Sequence, residues 1–462
     1  MAKLLDLPEE LLSFISEEVD TESLIPLAVS CKIFNRLAGS RYLRLIDYNR
    51  RFLHVSNSGP YRLPNQLSFS VLCNVARILG SLSDVLQISV VFLARSASES
   101  LQQLKSVVFF LRRIQHDIPS IQFTFDQSRD GTLCPLSSFN AAFENLMRQV
   151  HRTRCKSLDI RGSLPLTEGP LNYHLPPNDC VSQLLISDSF LLSQSCRDWF
   201  IKFLNSSSAI SSVIAQYTDD WAQILPKIQM SSLQRLSFFG PTPGAQGSDI
   251  EVVADFSHRH PSLHSVCWGT HWTTLPRRRR RSHPPLSHIV TLKGTVSQLR
   301  HFLAFPHVLR NLQQIEVDYE RPFGLLPTDS TSANPAQNIK VWDLFALLRD
   351  RPTLQKLTFP IIIPEFLINV FSGRRTPLRT KLPQISTLAF SEFQCLSEIE
   401  IVEFVRWGQK VFPNARLLDV SFVQWSDAQK SSFAQTVAAE WSSINLLKID
   451  FRLKNVEAWI ED

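Results

Sequence analysis

The chain has 462 residues, of which 44% are hydrophobic and 19% charged, with a formal charge of +6. That length exceeds one ordinary globular core and implies two or three domains, or a solenoid that grows by stacking, while the composition excludes a disordered chain. Much of the excess charge is one run, Arg277 to Arg281, so the remainder is near neutral and does not favour nucleic acid as a partner.

The N-terminal string MAKLLDLPEELL carries acids where a signal peptide needs a basic flank and an unbroken apolar core. Asp6 has the spacing of a helix cap to Glu9, Pro8 suits a first turn, and Leu11, Leu12 and Ile15 form an apolar stripe at helical spacing. Asp20 or Thr21 restarts the chain as a cap for a second helix bearing Leu24, Leu27 and Ala28. Ser30 is the expected cap of a third helix with Ile33, Phe34 and Leu37 on its apolar side and Gly39 just past its end. Three helices of this length bury little by themselves, so Leu7, Pro8, Leu11 and Leu24 are expected to leave an apolar patch in need of a partner.

The string LPEELLSFISEEVDTESLIPLAVSCKIFNRLA resembles the F-box, with Leu7, Pro8, Glu10, Leu11, Ile15, Leu24, Leu27, Ala28, Cys31, Phe34 and Leu37 on the motif positions. Phe34 stands where many members of that family carry Trp. The resemblance implies that these eleven residues bind a Skp-type adaptor, and through it a cullin and a RING protein. It also implies that the chain is the substrate receptor of an SCF-type ubiquitin ligase rather than an enzyme.

Residues 51–80 read as a linker with a helical cap, polar from His54 to Gln66 and then helix-like near Val71 to Leu79. Residues 81–462 carry a recurring LxxLxL pattern. Clear copies begin at Val181, Leu233, Leu263, Leu312, Leu354, Ile385 and Ile444, and weaker ones at Val85, Ile118, Cys155, Ile210, Leu286 and Ala415. Amphipathic segments fall between them at Trp199 to Leu204, Ile250 to Phe256, Val341 to Leu348, Ile399 to Trp407 and Ala428 to Trp441. Strand followed by helix in one direction implies an α/β solenoid, a leucine-rich-repeat-like horseshoe with a parallel sheet on its concave face. The asparagine that ordinarily follows LxxLxL in such repeats is absent almost throughout. A doubly wound nucleotide-binding fold would need a glycine-rich phosphate loop after an early strand, and the sequence has none.

Catalytic and metal chemistry find little support. Among His258, His260, His264, Cys267 and His271, the Cys267–His271 spacing suits a metal, but on an alternating strand Cys267 faces away from Val266 and His264. Asp219 and Asp220, like Glu17 and Glu18, are sequence neighbours that point apart, and no hydrolase or P-loop string occurs. The sequence therefore implies neither metal nor cofactor. Eight cysteines without a C-x-x-C pair read as buried thiols of a reducing compartment, and no apolar stretch reaches the length of a membrane span. The expectation is an intracellular protein of cytoplasm or nucleus, with Arg277 to Arg281 serving either as an import signal or as a plain solvated loop. Strand positions flanking the second aliphatic of each repeat should point away from the core and meet a protein substrate: Arg235 and Ser237, Gln314 and Glu316, Lys356 and Thr358, Leu417 and Asp419, Leu446 and Lys448. Inserts at 162–180, 240–249, 269–285 and 320–338 are expected along one edge beside them. The other reading of the same features is a repeat scaffold with no ligase connection.

Overall fold

The computed structural model describes residues 7–46, 51–56, 66–79, 85–93, 96–126, 136–162, 179–187, 190–239, 249–269, 285–318, 344–359, 381–391, 397–421 and 425–460. The chain divides into two compact units, Met1–Gln216 with Lys227–Ser232, and Tyr217–Pro226 with Leu233–Asp462.

The first unit begins with three helices, α1 (Glu9–Glu18), α2 (Thr21–Ser30) and α3 (Lys32–Leu45). Asp20 caps α2, its carboxylate accepting the Ser23 N–H at 2.9 Å. Two expected boundaries shift. Ser30 closes α2, its hydroxyl donating to the Leu27 carbonyl, and Cys31 precedes α3 instead. Gly39 lies inside α3, where α4 (Phe69–Leu79) comes so close that a Cβ would meet Ile78 Cγ2 at 2.6 Å. Glycine is there for close approach, not for helix termination. Asp6, the expected first cap, lies outside the described residues.

The sheet of this unit is wholly parallel, in the order β2–β1–β3–β4–β5–β6–β7, built from β1 (Phe52–Ser56), β2 (Gln66–Leu67), β3 (Gln87–Leu93), β4 (Ser120–Asp126), β5 (Ser157–Gly162), β6 (Gln183–Ser187) and β7 (Ser212–Gln216). It therefore starts at Phe52, inside the stretch read as linker and cap. Helices α5 (Ala97–Leu111), α6 (Leu136–Arg152) and α7 (Gln194–Ser206) follow β3, β4 and β6. Alternate strand residues face them, so the register stacks Leu53, Ile88, Ile121, Leu158, Leu184 and Val213 into one buried row. Phenylalanine fills the space behind. Phe92 and Phe125 stack at 4.7 Å, and Phe190 meets Phe125, Phe139 and Phe143 edge-on at 5.0 to 5.5 Å.

The second unit repeats the scheme with β8 (Arg235–Phe239), β9 (Ser265–Gly269), β10 (Thr291–Thr295), β11 (Gln314–Asp318), β12 (Lys356–Phe359), β13 (Thr387–Ser391), β14 (Leu417–Ser421) and β15 (Leu446–Ile449), all parallel. Their buried row is Leu236, Val266, Leu292, Ile315, Leu357, Leu388, Leu418 and Leu447. Helices α8 (Asp220–Ile224), α9 (Asp249–Arg259), α10 (Val296–Leu303), α11 (344–349), α12 (Glu398–Val411) and α13 (Asp427–Glu440) alternate with these strands. Reciprocal capping boxes start three of them, at Thr295–Gln298, Ser397–Glu400 and Ser426–Gln429. One repeat is displaced from its expected start: β10 belongs to a copy beginning at Ile289, not Leu286, because Gly294 occupies its third aliphatic position beside Val317.

The last strand, β16 (Arg452–Asn455), reverses direction against β15 through Asp450 and Phe451, both at positive φ. Arg452 and Lys454 mark this edge with charge, which discourages further strand pairing. The terminal helix α14 (Val456–Ile460) closes the end, with Trp459 Nε1 donating to the Leu447 carbonyl at 2.9 Å.

Two polar devices join successive repeats. In place of the missing asparagine, the residue just ahead of the first aliphatic often bonds to the preceding repeat. Ser262 donates to the Leu233 carbonyl, Asn311 to Ser287, Thr353 to Arg310 and Leu312, and Asn414 to Pro383, at 2.8 to 3.0 Å. Arginines at or near a helix end also satisfy carbonyls at the close of an earlier helix. Arg41 reaches Ser16 and Val19, and Arg152 reaches Arg112 and Ile114. Arg259 reaches Leu225 and Pro226. Arg351 is buried and gives four bonds of 2.9 to 3.1 Å to Leu303, Phe305, Pro306 and Leu309.

Candidate interaction surfaces

On the bundle, the eleven motif residues separate by burial. Leu24, Ala28 and Phe34 are at most 2% exposed and form its core with Leu12, so they hold the helices together and offer nothing to a partner. This corrects the expectation of an exposed patch for Leu24 in particular, which is 0% exposed. Leu7, Ile15, Leu27, Cys31 and Leu37 are half-buried, while Pro8, Glu10 and Leu11 are exposed. Two residues outside the motif list add to the surface. Phe14 is 60% exposed and Val29 51%, as is Leu11. The pattern that reveals them is Leu11 and Phe14 three apart on α1, one step round from the buried Leu12 and Ser16.

In the second unit the ten residues expected to meet a substrate all lie on the sheet face away from the buried row. Register gathers them into two lines. One runs Arg235, Ser265, Thr291, Gln314, Lys356, Thr387, Leu417, Leu446, and the other Ser237, Cys267, Lys293, Glu316, Thr358, Ala389, Asp419, Lys448. Arg235 and Gln314 are exposed, and Ser237, Glu316, Lys356, Thr358, Leu417, Asp419, Leu446 and Lys448 half-buried. Cross-strand ion pairs tie down part of this charge: Lys293 with Glu316, and Lys448 with Asp419 at 2.8 Å. Burial works against the Lys293 charge, but Glu316 more than offsets it and holds the ammonium pKa above the usual lysine range. Burial pushes the Cys267 thiol pKa up.

The corresponding face of the first unit is mostly uncharged, with Gln87, Ser120, Ser157, Gln183 and Ser212 in one line. His54 Nδ1 lies 3.3 Å from Ser89 Oγ, and Arg161 Nε donates to both Asp159 carboxylate oxygens at 2.9 to 3.0 Å.

The histidine-rich segment is dispersed. His260 is buried against Phe256, bonded to its carbonyl at 2.7 Å, while His258 and His264 are exposed. His264 precedes β9 rather than sharing the side of Val266, and Cys267 faces the open side. His271, the arginine run at 277–281 and most of the four inserts lie outside the described residues. Among the described residues no three His, Cys, Asp or Glu side chains are grouped to hold a metal, and no helix is long and apolar enough to cross a membrane.

The class these features define is a mixed α/β repeat protein resembling a leucine-rich-repeat solenoid, preceded by a helical bundle. No protein-family model matches the chain, and no curated protein matches its sequence. Among solved structures it is similar to a Bacteroides fragilis protein at 14% identity, covering 61% of this chain and 68% of that one, with a TM-score of 0.32. It is also similar to TLR13 in its complex with ssRNA13, at 10% identity and a TM-score of 0.32, covering 87% of this chain. The chain spans about half of that TLR13 chain, 51%. Likenesses this distant carry no argument about function.

Proposed function

We propose that the chain is the substrate-recognition subunit of an SCF-type ubiquitin ligase. Its bundle docks on a Skp-type adaptor that leads to a cullin and a RING protein, and its repeats hold a protein substrate. The observation that carries this reading is the bundle's division of apolar residues. Leu12, Leu24, Ala28 and Phe34 fill its core while Leu11, Phe14 and Val29 stay exposed. Covering a leucine or phenylalanine contributes about 1.5 to 3 kcal/mol, so three of them supply a useful fraction of an association energy. Their place within an F-box-like sequence supports a Skp-type adaptor as the partner.

In this reading the chain performs no chemistry. It holds a substrate near a ubiquitin-charged enzyme and raises the effective concentration of the reacting groups. The mixed charges and the half-buried Leu417 and Leu446 on the open face of the second unit suit a protein ligand. The test is mass spectrometry of proteins that co-purify with the tagged chain. Skp-type adaptor and cullin peptides are expected with the parent chain. Recovery of other partners with neither of these would leave the repeats as a scaffold and end the ligase reading.

A further inference from the structure

On the first unit, the turns that lead from α5 into β4 and from α6 into β5 gather five exposed cations: Arg112, Arg113, Arg152, Arg154 and Lys156. The two turns are neighbours. Arg152 Nη2 donates to the Arg112 carbonyl at 2.7 Å, and the Ile118 N–H donates to the Thr153 carbonyl at 3.0 Å. Adjacent parallel strands lie about 4.8 Å apart, so these charges crowd a patch only a few such spacings across. None of the five takes part in an ion pair among the described residues, although Asp117 and Asp179 lie on the same edge. The nearest arginine along α6, Arg148, is by contrast paired with Glu144 at 2.5 Å. Arg154 is held at φ 48°, in the left-handed region that non-glycine residues rarely adopt. Like charges without counter-ions oppose folding, and the strained turn at Arg154 adds to that cost.

We infer that this patch is a docking surface for an acidic segment of a partner protein, one with several Asp or Glu side chains in succession. Charge complementarity selects an anion. The guanidinium groups of Arg112, Arg113 and Arg154 select planar carboxylates, which they grip with paired N–H bonds, while Arg152, held by the Arg112 and Ile114 carbonyls, adds charge. A nucleic acid fits less well. Among the described residues the patch spans two turns, whereas a duplex presents a long line of phosphates. Phe109 beside it is half-buried with Arg113 lying 5.4 Å over its ring, so it presents no free face for a base to stack on. The site is separate from the bundle, so it stands whether or not the chain binds a Skp-type adaptor.

The test uses the full chain with Arg277 to Arg281 changed to serine, so that this run cannot capture the probe. A fluorescently labelled hexaglutamate peptide is titrated at about 150 mM salt, where surface charges are screened beyond roughly 8 Å. Labelled hexaglutamine and a short DNA duplex serve as competing probes. Hexaglutamate is expected to bind more tightly than hexaglutamine. Arg112→Glu with Arg154→Glu should weaken that binding at least about tenfold, and Arg112→Gln with Arg154→Gln by less, with thermal unfolding no earlier than in the parent. Equal binding of the two peptides, or an affinity unmoved by the double reversal, overturns the inference. Preferential capture of the duplex, lost in the same variant, overturns it in favour of nucleic acid.

Discussion

In the second unit Leu236, Val266, Leu292, Ile315, Leu357, Leu388, Leu418 and Leu447 are all buried, each strand covered by the next. On the three-helix bundle Leu11, Phe14 and Val29 remain about half or more exposed although Leu12, Leu24 and Phe34 pack as closely as any repeat residue. A repeat can always hand its apolar side to a neighbour, so stacking uses nearly all of it. A bundle of about forty residues has too little interior for all its large side chains. What stays outside is either a cost or a binding surface, and the two are separable by experiment.

The largest expected effect tests the repeats alone. Arg351→Ala removes four bonds to the end of α10 and the turn after it, and takes from the Leu303 and Pro306 carbonyls the donor that Arg351 gives them, at a cost of about 2 to 4 kcal/mol in urea unfolding. A loss below about 0.5 kcal/mol would mean that water replaces the guanidinium freely. Next come two glycines at close approaches, one in each region. An alanine Cβ at Gly408 would meet the buried Trp441 ring at 2.2 and 2.4 Å, whereas at Gly39 it meets one methyl of Ile78 at 2.6 Å. At Gly408 the obstacle is several atoms of a rigid, buried indole, while at Gly39 it is a single carbon of Ile78. Gly408→Ala should therefore cost about 1 to 3 kcal/mol and Gly39→Ala less. The reverse order, read by thermal unfolding, would show the bundle to be the more tightly packed region.

A third comparison is by pH. Burial lowers the pKa of His260, as do the nearby Arg259 and His288 charges, and burial likewise lowers that of His288. Each binds a proton more readily in the unfolded chain, so each favours folding above the ordinary histidine pKa of about 6.5. That contribution is lost as pH falls from about 6.5 toward the depressed folded values. The bundle, residues 7–46, contains no histidine. Urea midpoints taken from pH 7.5 down to pH 5.5 should fall in the parent and fall less in a His260→Gln, His288→Gln chain. Equal slopes would place the acid sensitivity elsewhere. At the bottom of the scale, Leu11→Ser and Phe14→Ser should change stability by less than about 0.5 kcal/mol, since both side chains are already largely in water.

Much of the repeat architecture was legible because LxxLxL fixes both a strand and the side it buries. Leu233, Leu263, Leu312, Leu354, Ile385 and Ile444 each open a strand two residues later. The copy at Ile289 was hidden because Gly294 carries no side chain to complete the pattern. Strand β1 escaped because only Leu53 and Val55 alternate within it before Ser56 is reached. The open-face residues followed from alternation alone, but their pairing did not. That Lys448 meets Asp419 depends on register between strands 29 residues apart. Reversal of Lys448 therefore also breaks a cross-strand pair, and Arg235 with Lys356 is the cleaner choice for probing substrate contact. In the bundle, sequence could not decide which of the adjacent Leu11 and Leu12 turns inward, nor that Phe14 stays outside. Both depend on where α3 crosses α1.

The most direct test of the docking account is calorimetric titration of a purified Skp-type adaptor into the full chain and into a Leu11→Asp, Phe14→Asp variant. The account predicts binding by the parent, an unchanged unfolding midpoint in the variant, and at least about a hundredfold weaker adaptor binding by it, since two apolar contacts are lost and two charges would have to be desolvated. An adaptor that binds the variant as tightly as the parent, or fails to bind the parent at all, would contradict it.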